Sequence, residues 1–327
     1  MAGLALENYA IDERANMVRR FGRGEARFRF LALAAALLVV AIFLGVVAAL
    51  IDGAWPAIKA FGLPFLWTEK WNPVTEKFGG LAAIYGTLVT SFVAMLIAVP
   101  MGIGIAVFLT ELCPNALKRP ISIAIELLAG IPSIIYGIWG LFVLAPFLQT
   151  SVQPWLIETF ADVPFFSILF EGPPYGIGMF TASLILSIMV LPFISSVTRD
   201  VFETVPPMLK EAAYGLGCTT WEVVWNVVLP YTRSGVVGGA MLALGRALGE
   251  TMAITFVIGN AHRISASLLA PGTTISASIA NEFAEALGDL YVPALVELGL
   301  ILFLITFLVL AAAQLMLRRL EKSGGKR

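Results

Sequence analysis

The stretch GGAMLALGRALGETMAITFVIGN, residues 238–260, decides the class of this chain. A membrane-crossing helix needs about 20 predominantly apolar residues, and this stretch supplies them. Yet it carries Arg246 and Glu250 in its middle. An arginine at the centre of a bilayer costs roughly 2.5–3.5 kcal/mol on insertion scales, so it is expected to face protein or water rather than lipid. Read as one continuous helix, a spacing of four residues puts Arg246 and Glu250 within about 40° of each other. Gly235, Gly238, Gly239, Gly245 and Gly249 share that face, while Val237, Met241, Leu244 and Leu248 lie opposite. The Gly-x-x-x-Gly pairs 235/239 and 245/249 allow close helix approach, so the charged face is expected to be the packed one. Two readings stay open. The charges form a self-neutralising pair that fixes packing, or Arg246 attracts or gates an anion while Glu250 keeps it from being trapped.

The rest of the chain agrees with a membrane protein. Of its 327 residues 59% are hydrophobic and 13% charged, about half the charge of a soluble domain. No alternating segments suggest a barrel, so the class is all-α. Six spans are expected: 30–51, 81–109, 121–147, 176–197, 234–259 and 292–316. The connections at 1–29, 110–120, 198–233 and 317–327 hold sixteen Lys and Arg, against four in 52–80, 148–175 and 260–291. The positive-inside rule then places both termini in the cytoplasm, with a basic segment at 1–29 and a basic tail at 317–327. The outer loop 52–80 is rich in aromatics (Trp55, Trp67, Trp71, Phe61, Phe65), which suits an interfacial anchor or a docking surface. Cys113 and Cys218 have no metal or disulfide spacing, and His262 is the only histidine, so no metal site is expected. His262 is expected in an exposed outer loop and Glu297 near a solvated outer end. Ser133 follows Pro132 inside the third span and either lines a pathway or bonds backbone freed by the proline. Asn260 lies at the outer mouth, beside His262.

The loop VPPMLKEAAYGLGCTTWEVVWNVVLPYTR, residues 205–233, is too polar to span and too patterned for a linker. Pro206 and Pro207 suit the first turn of a helix running to about Tyr214, and Gly215 and Gly217 suit its end. Thr219 and Glu222 have capping-box spacing for a second helix that Pro230 is expected to end. On physical grounds alone this is a helical hairpin at the membrane face.

Glu211-Ala212-Ala213, then Gly217, then Val227-Val228-Leu229-Pro230, resembles the EAA signature of ABC importer permeases, departing only in Val227 for isoleucine. The segments LAGIPSIIYG (128–137), LGRALGETMAITFVIGN (244–260) and TTISASIANEF (273–283) are similar to permeases of phosphate-specific importers of the PstC type. The resemblance covers roughly residues 80–315. It implies a type I, MetI-like permease fold in a bacterial inner membrane, with 81–316 as the permease core. It implies that Glu211, Ala212, Ala213, Gly217, Leu229 and Pro230 couple to a partner ATPase, which uses ATP and magnesium. It implies a substrate pathway or gate at Arg246, Glu250 and Thr251, with Ser133 and Asn260 as further candidates. The implied partners are a second permease of PstA type, a PstB-type ATPase dimer, a PstS-type periplasmic phosphate-binding protein, phosphate and membrane lipid, with no nucleic acid.

The chain contains no Gly-x4-Gly-Lys-Ser/Thr, so the resemblance implies a non-enzymatic subunit driven by a partner. Alternating access is the mechanism implied. A permease for another oxyanion, such as sulfate or molybdate, and a membrane scaffold for phosphate sensing are the alternatives. No Ser/His/Asp or paired-carboxylate arrangement supports an intramembrane enzyme.

Overall fold

The computed structural model describes the backbone of residues 2–324 and the side chains of Glu25 and residues 28–318. The basic segments expected at 1–29 and 317–327 therefore fall largely outside the described side chains. Among the described residues the chain is all-helical, with six helices long and apolar enough to cross a membrane. It forms two compact units, Met1–Gly53 and Ala54–Arg327. The first is made by helix α1 (Ala2–Phe61), whose apolar stretch exposes nearly every described side chain up to Gly53. The last turns of α1, from Ala54, count with the second unit.

The second unit continues with α2 (Leu81–Val107, extended by a π turn Phe108–Leu112), α3 (Asn115–Ala129), α4 (Ser133–Phe160) and α5 (Met179–Glu203). Next come α6 (Pro207–Gly215), α7 (Thr220–Leu248), the one-turn α8 (Met252–Thr255), α9 (Ile275–Glu282) and α10 (Tyr291–Gly324). Helix α5 is the central post. Its Ile185, Leu186, Val190 and Ile194 are buried against Ala94 and Ala98 of α2 and Ala243 and Ala247 of α7. Small residues on the neighbours let the backbones close in, as expected where helices associate by packing rather than by the hydrophobic effect. Gly235 and Gly239 do this on α7: an added Cβ would lie 2.5 Å and 2.7 Å from Val201 and Val197 of α5.

Three expectations from sequence are corrected. The third span is not continuous over 121–147. It breaks at Gly130–Pro132, because Pro132 has no N–H to donate and disfavours helical backbone at Ile131. Helix α3 buries no side chain, and the crossing helix is Ser133–Phe160. The fifth span does not run through 234–259. It begins at Thr220, stops at Leu248, and restarts at Met252. Pro230 does not end the second loop helix. A π turn over Val224–Val228, closed by the Leu229 N–H on the Val224 carbonyl, absorbs the missing donor and the helix continues into the membrane. The capping box at its start does form: Glu222 accepts from the Thr219 N–H at 2.7 Å, and the Thr219 hydroxyl accepts from the Glu222 N–H at 3.4 Å.

Candidate functional site

The two helix breaks meet. Gly137, one turn into α4, packs directly on α8: a Cβ there would lie 2.8 Å from the Phe256 ring, 3.0 Å from the Met252 carbonyl oxygen and 3.1 Å from Ala253 Cα. Behind the first break, the Tyr136 hydroxyl donates to the Leu128 carbonyl at 2.8 Å, tying α4 back to the end of α3. Ser133 is the first residue of α4 and is half-buried.

Glu250 sits in the second break. Helix α7 ends at Leu248 with Gly249 as its C-cap, and the Glu250 carboxylate accepts from the Ala253 N–H at 3.2 Å. The side chain thus takes up a backbone donor that a continuing helix would have satisfied, which is what ends one helix and starts the next. Thr251 precedes α8, and its carbonyl accepts from the Thr255 hydroxyl at 2.7 Å. Arg246 lies in the last turn of α7, where the partial negative charge of a helix end favours a cation.

Arg246 and Glu250 therefore do not share one helical face, and among the described residues they form no ion pair. The arginine's face is closely packed only lower on α7, at Gly235 and Gly239; Arg246 itself is exposed, with exposed Leu242 one turn before it and exposed Met252 and Phe256 beyond the break. Of the second glycine pair only Gly245 approaches another helix, at Leu310 of α10. Asn260 is placed elsewhere. It adopts φ 51° and its side-chain amide donates to the Thr255 carbonyl at 3.1 Å, capping the other end of α8.

The motif of the polar loop occupies the opposite extreme of α7. Glu211 and Ala212 are exposed on α6, Ala213 is half-buried, and Gly217 turns the chain at φ 88°. The Leu229 N–H closes the π turn and Pro230 is the next residue.

A polar cluster that sequence reasoning missed holds the 260–291 connection together. The Glu282 carboxylate accepts from the Trp71 indole at 2.7 Å and the Tyr291 hydroxyl at 2.6 Å, and pairs with His262 at 2.7 Å. The His262 ring stacks on Trp71, with centroids 4.9 Å apart. His262 is thus mostly buried rather than exposed, because a carboxylate and an indole face cover it. Glu297 is also buried, at 6% exposure, rather than solvated, because α10 turns it inward beside the packed Leu295 and Leu298. Trp71, Phe61, Phe65 and Phe78 pack against α10, so part of the aromatic loop is core, whereas Trp55 and Trp67 stay exposed. No local pattern announces partners as far apart as Trp71 and Glu282, 211 residues.

Burial alone would raise the Glu282 carboxyl, but the hydrogen bonds from His262, Tyr291 and Trp71 outweigh it and hold the group below the usual carboxylate range. Its stabilisation is present above the unfolded-state pKa and lost as pH falls through the lower folded value. Glu282→Ala is expected to cost about 3 kcal/mol, since it leaves several donors unpaired. The check is thermal unfolding in detergent: the gap to wild type should be full at neutral pH and shrink below about pH 4.

Against known proteins, residues 98–322 match the family described as "Binding-protein-dependent transport system inner membrane component". The chain belongs to that family. This inner membrane component is 66% identical over 308 residues to the phosphate transport system permease protein PstC of Mesorhizobium japonicum, covering 94% of each chain. It is 58% identical to the PstC of Pasteurella multocida, covering 89% of this chain and 91% of that one. Its fold is shared with a chain of a bacterial alginate ABC transporter solved with an alginate pentasaccharide-bound periplasmic protein. The TM-score there is 0.60 at 19% identity, covering 89% of this chain and 94% of the other. Family and helices together make it a multi-pass inner membrane protein.

Proposed function

We propose that the protein is the PstC-type permease subunit of an ATP-driven importer of inorganic phosphate. The observation that carries this reading is the 66% identity to a PstC protein along 94% of both chains. Phosphate carries one to two negative charges near neutral pH, and moving a bare ion into low dielectric costs tens of kcal/mol. A path across the membrane therefore has to supply donors. Arg246, with a planar guanidinium matched to phosphate oxygens, supplies one. The Ser133 hydroxyl and the amino end of α4 supply others, in the manner of discontinuous membrane helices that meet an anion with their amino ends. Glu250 holds the second break in shape and, as a nearby carboxylate, keeps the site from becoming a trap. Thr251 completes the turn.

The exposure of Arg246 supports a partner. A lipid-facing arginine is costly, so the stripe of Leu242, Arg246, Met252 and Phe256 is assigned to the face turned toward a second, PstA-type permease, with the ion path between them. The exposed Glu211–Ala212 surface in the middle of α6 is assigned to a PstB-type ATPase, which binds ATP and magnesium. A PstS-type binding protein delivers phosphate on the opposite side, and ATP binding and hydrolysis in the partner ATPase alternate the access. Both termini are assigned to the cytoplasm.

The test is ATP-dependent uptake of labelled phosphate into vesicles carrying the reconstituted four-component complex, with excess unlabelled sulfate as competitor. Uptake that sulfate does not reduce is the expected result. Uptake of sulfate in place of phosphate assigns the chain to another oxyanion. ATPase control by phosphate without any uptake makes it a scaffold for sensing.

A further inference from the structure

An ion pair with both side chains largely buried lies outside everything assigned above. Lys210, immediately before Glu211, places its Nζ 2.6 Å from the Glu111 carboxylate, 99 residues away, with only 18% and 7% of the two side chains exposed. Glu111 stands on the π turn that ends α2. A π turn adds about one residue to the turn and so rotates the next segment of chain by roughly 100°. The same π turn is held from its other side by Lys118, whose ammonium donates to the Thr110 carbonyl at 3.0 Å.

Helix α6 has few other holds on the molecule. It buries no side chain completely, and among the described residues Lys210 is its only side chain with a polar partner. Ala213, three residues on and so on the same face, packs on an apolar cluster that includes Ala106 of α2, Phe202 of α5 and Val228 of α7. An apolar contact alone lets a helix slide, whereas an ion pair shielded from water fixes one end at a set distance. Helix α2 then leads into the core. Its Ala94 and Ala98 pack on α5, and its Thr87 hydroxyl accepts from the Ile275 N–H at 2.9 Å, where the 273–283 segment folds back onto it.

Resting on the permease reading, we propose that Lys210 and Glu111 are positioning residues: their ion pair is the strut that carries displacement of α6 into α2. Neither touches ATP or phosphate. The pair matters through the distance it keeps, so the arrangement survives exchange of the charges better than loss of either one.

The experiment uses the complete reconstituted complex with Lys210→Met, Glu111→Gln and the exchange Lys210→Glu/Glu111→Lys. Phosphate uptake and ATP hydrolysis are measured per assembled complex, with and without loaded binding protein. In the single variants, basal hydrolysis should stay within about twofold of wild type, while stimulation by the binding protein and phosphate moved per ATP fall about tenfold; the exchange should recover most of that loss, as coupled charges do in a double-mutant cycle. An unchanged ratio of phosphate to ATP in the single variants overturns the proposal, also when fewer complexes assemble, because the pair then only helps folding. An exchange no better than the single variants overturns it too. If wild type hydrolyses ATP in response to binding protein but takes up no phosphate, the substrate reading fails. The strut is still judged from the stimulation of hydrolysis.

Discussion

Arg246→Gln should reduce phosphate uptake by roughly 10- to 100-fold while the complex still assembles, the loss expected when a charge-assisted hydrogen bond worth about 1.5–3 kcal/mol is removed. The size comes from the position. Arg246 ends α7 beside the second break, is exposed in this chain, and has no ion-pair partner among the described residues. No internal carboxylate is left bare when its charge is removed, so assembly is expected to be spared and uptake to carry the loss. Arg246→Lys keeps the charge but loses the planar fork, and should fall between the two. Glu250 separates the same alternatives from the other side. Glu250→Gln keeps an oxygen for the Ala253 N–H, which the carboxylate holds at 3.2 Å, and removes only charge. Glu250→Ala removes both. If Glu250 serves only as a cap, the glutamine variant transports normally and the alanine variant does not. If its charge regulates anion release, both are impaired. Initial rates of labelled phosphate uptake, normalised to assembled complex, read all four.

The second large effect is expected at Gly137. Gly137→Val should lower uptake about tenfold or more, because overpacking a close contact typically costs 1–3 kcal/mol and here it falls on the site. The added carbon meets the Met252 carbonyl at 3.0 Å and Ala253 Cα at 3.1 Å, which are backbone atoms of α8 and cannot swing away. Relief requires moving α8, and with it the turn that holds Glu250 and Thr251. The control is Gly104→Val on α2, where an added Cβ meets nothing within 4 Å in this chain. If Gly137→Val and the control transport equally, the contact between the two breaks does not position the site.

The spans that read cleanly from sequence are those with long unbroken apolar runs: 292–316 against the observed Tyr291–Arg318, and 81–109 against Leu81–Leu112. There, run length alone carries the information. The two breaks were harder, and they are what shapes the site. Glycine or proline within an apolar run fits a kinked helix as well as an interrupted one. What decides is where the orphaned backbone donors go. At 249–252 a side chain of the same segment takes one, the Glu250 carboxylate on the Ala253 N–H. The helical wheel placed Arg246 and Glu250 together only by assuming that the helix continued. At Pro230 the reverse happened: the proline read as a stop, yet the π turn over Val224–Val228 lets the helix pass. Prolines, glycines and capping-box spacing mark two short helices in the polar loop, but the link from Lys210 to Glu111 joins two segments that no local rule connects. The same holds for the Glu282 cluster, whose donors come from three separate stretches of chain.

The residues at the two helix breaks are assigned to a water-filled path for the anion. Single cysteines test that assignment. In a background where Cys113 and Cys218 are replaced by alanine, Ser133→Cys and Thr251→Cys are each treated, in the assembled complex in vesicles, with a small charged thiol reagent. Both should react, reaction should block uptake, and the rate should change when loaded binding protein and ATP are added. If neither position reacts while a control cysteine at Val74, 93% exposed in the 52–80 loop, does, the breaks are sealed from water and the path lies elsewhere.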